Sequence, residues 1–315
     1  MIIENNVLIN AGDDYFSEEV VIPDGVEIIG PAAFYKCKHL KKVTIPSSVK
    51  CIDTAAFACC PMLETVSLSE GLEVIYNAAF ELCVSLRNIE IPETVESIGS
   101  YAFRYCRMLE KMDLSKIYLY KPKKKSYLDD LRNTNLESFI NDKLKSYINN
   151  GISIIDDEAD FNEALMLLSE FERGKGVHRE CIRPILGKGA FEGCKNLKDV
   201  KLPSDIRRIP ARAFKWCISL ETIELPDTVR EIHKKAFQCC IQLNNIKIPT
   251  WTHYLGKNAF YNCKHLTHME IPIGITRIRK GTFENCSRLK DITLPDKCVN
   301  IDEYALPERT EIHYR

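Results

Sequence analysis

Cysteine is the residue type in this sequence whose number and spacing could most readily support chemistry. The chain holds fourteen cysteines, and nine of them, here called the ladder cysteines, follow a phenylalanine by three residues. They are Cys37, Cys60, Cys83, Cys106, Cys194, Cys217, Cys240, Cys263 and Cys286. Metal sites built from thiolates gather paired ligands such as Cys-x-x-Cys, whereas the ladder cysteines recur singly. Because a buried free cysteine behaves as a small hydrophobic side chain, we predict reduced core residues and no metal or cofactor.

Histidine and lysine provide two further candidate sites, and a simpler interpretation is favoured for both. His265 and His268 are close in sequence, but the repeat described below places His265 in a turn and His268 on the exposed side of a strand. The basic run Lys121–Lys125 could contact nucleic acid or anionic lipid, yet acidic residues surround it, which favours a solvated turn. The sequence contains no recognisable Ser/His/Asp or Cys/His nucleophile arrangement and no glycine-rich phosphate loop. We therefore predict that the protein is not an enzyme.

A repeat of 23 residues determines the secondary-structure elements that carry these side chains. Each repeat unit carries a phenylalanine, a ladder cysteine three residues later and a leucine three residues after that. The phenylalanines are Phe34, Phe57, Phe80, Phe103, Phe191, Phe214, Phe237, Phe260 and Phe283. A period of roughly 20 to 29 residues with apolar anchors indicates a stacked solenoid, in which each unit buries its apolar side against its neighbours.

Two short extended segments are predicted in each repeat. In the segment Lys42–Ile45, polar and apolar residues alternate, so one side of the strand is dry and the other wet. Pro46 has no N–H to donate to a neighbouring strand and therefore marks the end of the segment. The second segment follows the pattern V-x-x-I, as in Val49 and Ile52.

The repeat resembles the bacterial leucine-rich repeats of the BspA-like class. The family unit reads Leu-x-x-Ile-x-Leu-Pro-x-x-Val-x-x-Ile-Gly-x-x-Ala-Phe-x-x-Cys, and the stretch from Leu86 to Cys106 matches it closely. The resemblance implies a right-handed leucine-rich-repeat solenoid with one parallel strand of each repeat on the concave side. It also implies a role in protein binding, because family members are often secreted adhesins or host-binding surface proteins.

One interruption divides the repeats. Phe103 and Phe191 are 88 residues apart, so 65 residues are additional to one period. Apolar residues at helical spacing between Leu136 and Ile148 predict one helix. Asp160 and Glu163 form a capping-box pattern, and Gly174 follows, which predicts a second helix from Phe161 to about Glu172 and hence an α-helical insertion. The predicted organisation is an N-terminal cap with repeats at 1–115, a helical insertion at 116–180, and repeats with a C-terminal cap at 181–315.

The solenoid is predicted to continue across this interruption. The chain leaves at the end of one strand and resumes just before the second segment of a repeat, so that the broken ends make one complete unit. If the two units are neighbours, Lys111 lies beside Asp199 and Asp113 lies beside Lys201, and both pairs have opposite charge.

The wet side of the first strands is the predicted partner-binding surface. Its central position alternates in charge along successive repeats from Asp113 to Glu270, and Glu90 beside Asp113 is an unfavourable exception that hints at a basic partner. The candidate partner-binding residues are Glu90, Asp113, Lys201, Glu224, Lys247, His268 and Glu270.

Composition and charge narrow the possible partners and location. The chain has 315 residues and a net charge of -1, which argues against bulk electrostatic attraction to nucleic acid or anionic membranes. No apolar run approaches the roughly 20 residues needed to span a bilayer, and Met1–Ile9 lacks the features of a secretory signal. We predict a cytoplasmic protein, with the cell surface or secretion by a non-classical route as the alternative.

These observations predict a non-enzymatic scaffold that binds a protein partner through the concave sheet and the helical insertion. Two other functions stay open. The first is an exported cell-surface adhesin or host-binding protein. The second is an enzyme or nucleic-acid binder centred on the insertion, which would require a deep pocket between the insertion and the concave sheet.

Overall fold

The architecture was determined from a computed structural model that describes residues 1–117, 185–296 and 300–315. These residues belong to one compact unit. The predicted helical insertion and the basic run Lys121–Lys125 lie outside the described residues. In the described part of the chain there is one short 3-10 helix, Gly12–Phe16, and no α-helix.

Each repeat forms one coil, and the first segments of successive coils make a row of parallel strands. We call this the first strand row. Its strands are β3 (Glu19–Val21), β5 (Lys42–Thr44), β7 (Thr65–Ser67), β9 (Asn88–Ile89), β11 (Lys111–Asp113), β12 (Asp199–Lys201), β16 (His268–Glu270), β18 (Asp291–Leu294) and β20 (Glu311–Tyr314). Between β12 and β16 the row is represented by a single parallel bridge from Thr222 to Asn245.

The second segments form a second row of parallel strands. It opens with the antiparallel pair β1 (Ile2–Glu4) and β2 (Val7–Asn10), which are joined by a tight turn at Asn5 and Asn6. The row continues through β4 (Ile28–Ile29), β6 (Cys51–Ile52), β8 (Val74–Ile75), β10 (Ser97–Ile98), β13 (Arg208–Ile209), β14 (Glu231–Ile232), β15 (Tyr254–Leu255), β17 (Arg277–Ile278) and β19 (Asn300–Ile301). The prediction of two extended segments per repeat, stacked as a solenoid, is confirmed.

Coils on either side of the interruption are direct neighbours. Strands β11 and β12 pair in parallel, with Lys111 opposite Asp199 and Asp113 opposite Lys201. In the second row, Ile98 forms a parallel bridge to Leu186. The described coils are therefore hydrogen-bonded across the point where the repeat is interrupted, in the register that the sequence predicts.

A column of stacked phenylalanine rings occupies the core. The nine repeat phenylalanines are fully buried. Neighbouring rings have centroids 4.9–5.7 Å apart and planes within 14° of parallel. The fixed 23-residue step thus places each ring directly over the ring of the preceding coil.

The ladder cysteines are buried and free, as predicted. From Cys60 to Cys286, each thiol donates a hydrogen bond of 3.0–3.2 Å to the backbone carbonyl of the phenylalanine one coil earlier. Most of these carbonyls also accept the backbone N–H of the cysteine in their own coil, as Phe34 does from Cys37 at 3.1 Å. The thiol at this position therefore fills the core and adds a second hydrogen bond, between coils, which an alanine or valine could not make.

Two positions of nearly every coil have a left-handed backbone, two residues before and two residues after the phenylalanine. Examples are Tyr101 and Lys235 before it, and Cys59 and Trp216 after it, with φ between 59° and 63°. Residues other than glycine and asparagine rarely adopt this backbone conformation. At these positions the backbone N–H bonds to the next coil, as Lys235 does to the carbonyl of Lys257 at 3.0 Å. Inter-coil hydrogen bonds thus override the local preference of the residue.

Candidate protein-interaction surface

The first strand row has an exposed side that we call the strand face. The middle residue of each three-residue strand points into the core, as shown by Val43, Val66, Met112, Val200 and Met269, which are at most 5% exposed. The flanking residues point outward because side chains alternate along a strand. Each coil therefore presents two side chains to the strand face.

All seven predicted partner-binding residues are exposed in the structure. Asp113, Lys201, His268 and Glu270 lie within strands. The other three lie one or two residues beyond a strand or bridge rather than within it; they are Glu90, Glu224 and Lys247. Whether these seven residues bind a partner stays a prediction.

Several of the exposed charges are already paired within the chain. Lys201 Nζ lies 3.2 Å from Asp113 Oδ2, and Ser115 donates two hydrogen bonds to Oδ1 of the same carboxylate. The hydrogen bond from Ser115, together with Lys201, lowers the pKa of Asp113. His268 pairs with Asp291, and Arg315 pairs with Glu270. The charge of Asp113 is thus compensated, and of the predicted acidic pair Glu90 is the more available member.

Uncompensated charges on the strand face are the ones best suited to recognise a partner. Among the described residues, Glu90, Glu224 and Lys247 form no ion pair. Long-range attraction to such charges speeds association and selects partners, although each exposed pair stabilises a complex only weakly.

Two exposed apolar side chains lie on the turns that follow the first strands. Trp251 is 69% exposed and Ile273 is 62% exposed. Each lies in a tight turn that begins at a proline, closed by hydrogen bonds from Thr252 to the carbonyl of Pro249 and from Ile275 to that of Pro272. The two turns belong to adjacent coils. They place an exposed tryptophan and isoleucine at one margin of the strand face.

Sequence reasoning missed this apolar pair because it examined the strands and not the turns. The signal was present in the repeat. At the position directly after the proline, other coils carry polar residues, such as Ser47, Glu93 and Asp227, where one coil carries Ile273. Exposed tryptophan is enriched at protein interfaces because it offers a large apolar area at low entropic cost.

A second group that sequence reasoning missed is a buried set of alternating charges. It occupies the position directly after the phenylalanine, where four successive coils carry Glu81, Arg104, Glu192 and Lys215. Arg104 lies 3.2 Å from Glu81, and Lys215 lies 2.8 Å from Glu192. Alternation along the stack lets each charge meet an opposite one in the next coil. This set therefore links neighbouring coils and is not offered to a partner.

Within the described ranges, no group of three or more histidine, cysteine, aspartate or glutamate side chains is arranged to hold a metal ion. His265 lies in a turn and His268 lies in strand β16, as the repeat predicts. No helix among the described residues combines the length and apolar character needed to cross a bilayer.

Solved structures of bacterial repeat proteins resemble this chain. A leucine-rich repeat protein from Bacteroides ovatus is 21% identical, with a TM-score of 0.60 over 94% of this chain and 71% of that one. A leucine-rich cell surface protein from Faecalibacterium prausnitzii is 20% identical, with a TM-score of 0.41 over 95% of this chain and 88% of that one. The pneumococcal vaccine antigen PcpA is 18% identical, with a TM-score of 0.47 over 95% and 79%. The first of these likenesses supports the stacked-coil fold.

Comparison with protein families identifies the repeat itself. No curated protein sequence matches the chain. A family model described as the BspA type leucine-rich repeat region matches six copies at residues 13–123 and 185–313. The matched ranges cover most of the chain and include every repeat phenylalanine, so the resemblance drawn from the sequence is confirmed. The chain belongs to the BspA-type leucine-rich repeat family.

Proposed function

We propose that this protein is a non-enzymatic scaffold that binds a protein partner through the strand face and its margin. The observation that carries the proposal is the pair of exposed apolar residues, Trp251 and Ile273, beside unpaired charges at Glu224 and Lys247. An apolar anchor surrounded by charged residues is the usual composition of a protein interface. Repeat solenoids suit this role because their surfaces are extended and regular.

The domain boundaries and the insertion belong to the same proposal. The sequence predicts the insertion at 116–180, between the repeats 1–115 and 181–315, but Lys116 and Ile117 are not helical and Ile117 is buried in the repeat core. We propose that the insertion is α-helical beyond Ile117 and adds to partner specificity. Long insertions in repeat proteins commonly lie on the binding side. The pocket that an enzyme or nucleic-acid binder would require involves residues outside the described part of the chain, and that function stays an open alternative.

A role at the cell surface is the second candidate function. It draws on the family, whose members are often adhesins or host-binding proteins. The comparisons give no support to the cytoplasmic location predicted from the sequence. Fractionation of source cells with an antibody against the untagged protein separates the two locations, since an adhesin would be found on intact cells or in the medium.

Affinity capture with matched variants tests the scaffold proposal. The wild-type protein and the double variant Trp251→Ala, Ile273→Ser are used to capture proteins from source cells, and the captured proteins are identified by mass spectrometry. Phe16→Ala is the control, because Phe16 is 73% exposed but lies in the 3-10 helix near the N-terminus. All these residues are exposed, so the free energy of unfolding should change by less than about 0.5 kcal/mol per residue.

We expect the double variant to lose at least one partner that the wild type and the control retain. The reverse result is also informative. If the double variant captures the same proteins in the same amounts as the wild type, the margin of the strand face is not the binding surface.

A further inference from the structure

The charge of the second strand row differs sharply between the two halves of the solenoid. We compare the seven residues of each coil that begin at the first anchor of the V-x-x-I pattern. In the four coils before the interruption, 26–32, 49–55, 72–78 and 95–101, these segments hold one lysine and four acidic residues. In the four coils 206–212, 229–235, 252–258 and 275–281, they hold ten lysines and arginines and one glutamate. The net charge of -1 for the whole chain conceals this basic surface.

The basic residues are stacked in register along the solenoid. Lys234, Lys257 and Lys280 occupy the same position in three successive coils, and all three are exposed. Their carbonyls accept hydrogen bonds from the backbone of the preceding coil, from Arg212 at 3.1 Å, Lys235 at 3.0 Å and Asn258 at 3.3 Å. These bonds fix the three lysines in one line. Like charges in adjacent strands are unfavourable, so the line does not serve stability.

Within the described part of the chain, the three residues of this lysine line, Lys234, Lys257 and Lys280, form no ion pair. Their internal contacts are weaker: the hydrogen bond from Arg277 lowers the pKa of Asp302 and Lys257 adds to that effect, and Lys280 Nζ lies 5.4 Å from the centroid of the Tyr304 ring. Their neighbours show the resulting repulsion. Burial lowers the pKa of Lys235, and the nearby cations of Arg212, Lys215 and Lys234 lower it further.

Carboxylates are the anions that this surface already holds. Glu231 lies in its centre, with one carboxylate oxygen 2.9 Å from Arg208 Nε and 2.8 Å from His233 Nε2. At one end, Asp302 accepts a hydrogen bond of 2.8 Å from Arg277 Nε. Guanidinium groups match the planar geometry of a carboxylate. Arg208 and Arg277 are occupied by these two carboxylates, so the lysine line provides the charge that is available to further carboxylates.

Other polyanions fit the surface less well. Binding of single-stranded nucleic acid relies on free aromatic rings for base stacking. Apart from histidines, Tyr254 is the aromatic residue of the four basic segments. The guanidinium group of Arg279 covers its ring, with the guanidinium carbon 4.5 Å from the ring centroid. Peripheral membrane binding relies on exposed apolar side chains among the basic ones. The four segments themselves expose none, and the exposed Trp251 and Ile273 lie in the turns just before two of them, at the margin of the strand face.

We propose that the second strand row of the C-terminal coils binds an acidic polypeptide segment. This surface is separate from the strand face. Phenylalanine rings of these coils are 5.3–5.4 Å apart, so four coils extend over about 16 Å. An extended chain rises about 3.3 Å per residue. A run of about five extended residues therefore spans the surface, with acidic side chains in reach of successive lysines.

Fluorescence anisotropy with a labelled peptide of about ten glutamates, twice the length that spans the surface, tests the proposal. A glutamine peptide of equal length measures uncharged background. The test variant carries Lys234→Glu, Lys257→Glu and Lys280→Glu. The control variant carries Lys195→Glu, Lys264→Glu and Lys290→Glu, which change the net charge equally at exposed lysines outside the four segments. Circular dichroism verifies that both variants are folded.

We expect saturable binding of the glutamate peptide that weakens as salt is raised. Reversing the lysine line should weaken binding by about tenfold or more, and the control variant should change it by less than about threefold.

Three results would overturn the proposal. The first is no binding of the glutamate peptide by the wild type at low salt. The second is an equal loss in both variants, which would indicate only non-specific attraction. The third is displacement of the peptide by a competitor at a lower concentration of negative charge than unlabelled glutamate peptide requires. Displacement by a single-stranded oligonucleotide would assign the surface to nucleic acid, and displacement by phosphatidylserine-containing vesicles would assign it to membrane.

Discussion

Removal of one ring from the phenylalanine column is the sharpest test of the fold. Phe237 is fully buried, and its ring stacks on Phe214 at 5.4 Å and on Phe260 at 5.3 Å. Truncation of a buried phenylalanine to alanine costs roughly 3–5 kcal/mol. Because an aromatic pair contributes about 0.5–1.5 kcal/mol beyond its buried area, and two pairs are lost, we expect Phe237→Ala to lie at the upper end, about 4–5 kcal/mol.

The end of the column provides an internal comparison. Phe283 is equally buried but stacks on one repeat phenylalanine, Phe260, at 5.4 Å. Phe283→Ala should therefore cost about 1 kcal/mol less than Phe237→Ala, which is the value of one ring pair. Phe16→Ala is the exposed control, for which a change below about 0.5 kcal/mol is expected.

Urea denaturation followed by circular dichroism measures these differences, and hydrogen exchange locates them. Protection should fall most in the coils that contain Phe214 and Phe260, since solenoid stability depends on nearest-neighbour contacts. A loss below about 1 kcal/mol for Phe237→Ala would refute the assignment of this ring to the core column. Equal losses at Phe237 and Phe283 would show that stacking between coils contributes nothing beyond burial.

Three further predictions concern the thiols, the strand face and the interruption. Burial raises the pKa of every ladder cysteine from Cys60 to Cys286. The thiols of the unfolded chain therefore ionise at a lower pH than those of the folded protein. The free energy of unfolding, measured by urea titration, should be constant below about pH 8 and fall above about pH 9. Rapid reaction of most ladder thiols with a maleimide in the native protein would contradict this. Charge reversal of Glu90 and Asp113 to lysine should leave the fold intact and weaken capture of a basic partner at low salt; unchanged affinity for a partner identified by capture would dismiss the site. Deletion of residues 119–183 keeps the buried Ile117, restores the 23-residue step between Phe103 and Phe191, and should give a soluble protein with one unfolding transition; aggregation would count against a continuous stack.

Periodicity predicted the parts of this fold that depend on position alone. The phenylalanines, ladder cysteines and strand alternation follow from one repeated unit, and the pairing of Lys111 with Asp199 follows from counting residues across the interruption. These features need no knowledge of distance in three dimensions.

Features that depend on inter-coil geometry could not be predicted in this way. The thiol of Cys240 bonds to the carbonyl of Phe214 only because adjacent coils place the two atoms 3.1 Å apart. The left-handed backbone of Tyr101 runs against its own preference. Trp251 and the lysine line were visible in the sequence, but they lie on turns and in the second segments, whereas the search for a site followed the first strands.

The thiol hydrogen bonds and the ring stacking connect one coil to the next, and this has a mechanical consequence. The ladder thiols bond to the preceding coil and the phenylalanine rings stack on neighbouring coils, so tension applied to the two ends of the described solenoid passes through the inter-coil interfaces in series. The weakest interface should then yield first, and coils should peel away one at a time. A released coil of 23 residues extends to about 80 Å of chain, while its folded thickness is close to the 5.4 Å ring spacing. The described solenoid should therefore extend to many times its folded height under tension, as its coils unfold one after another.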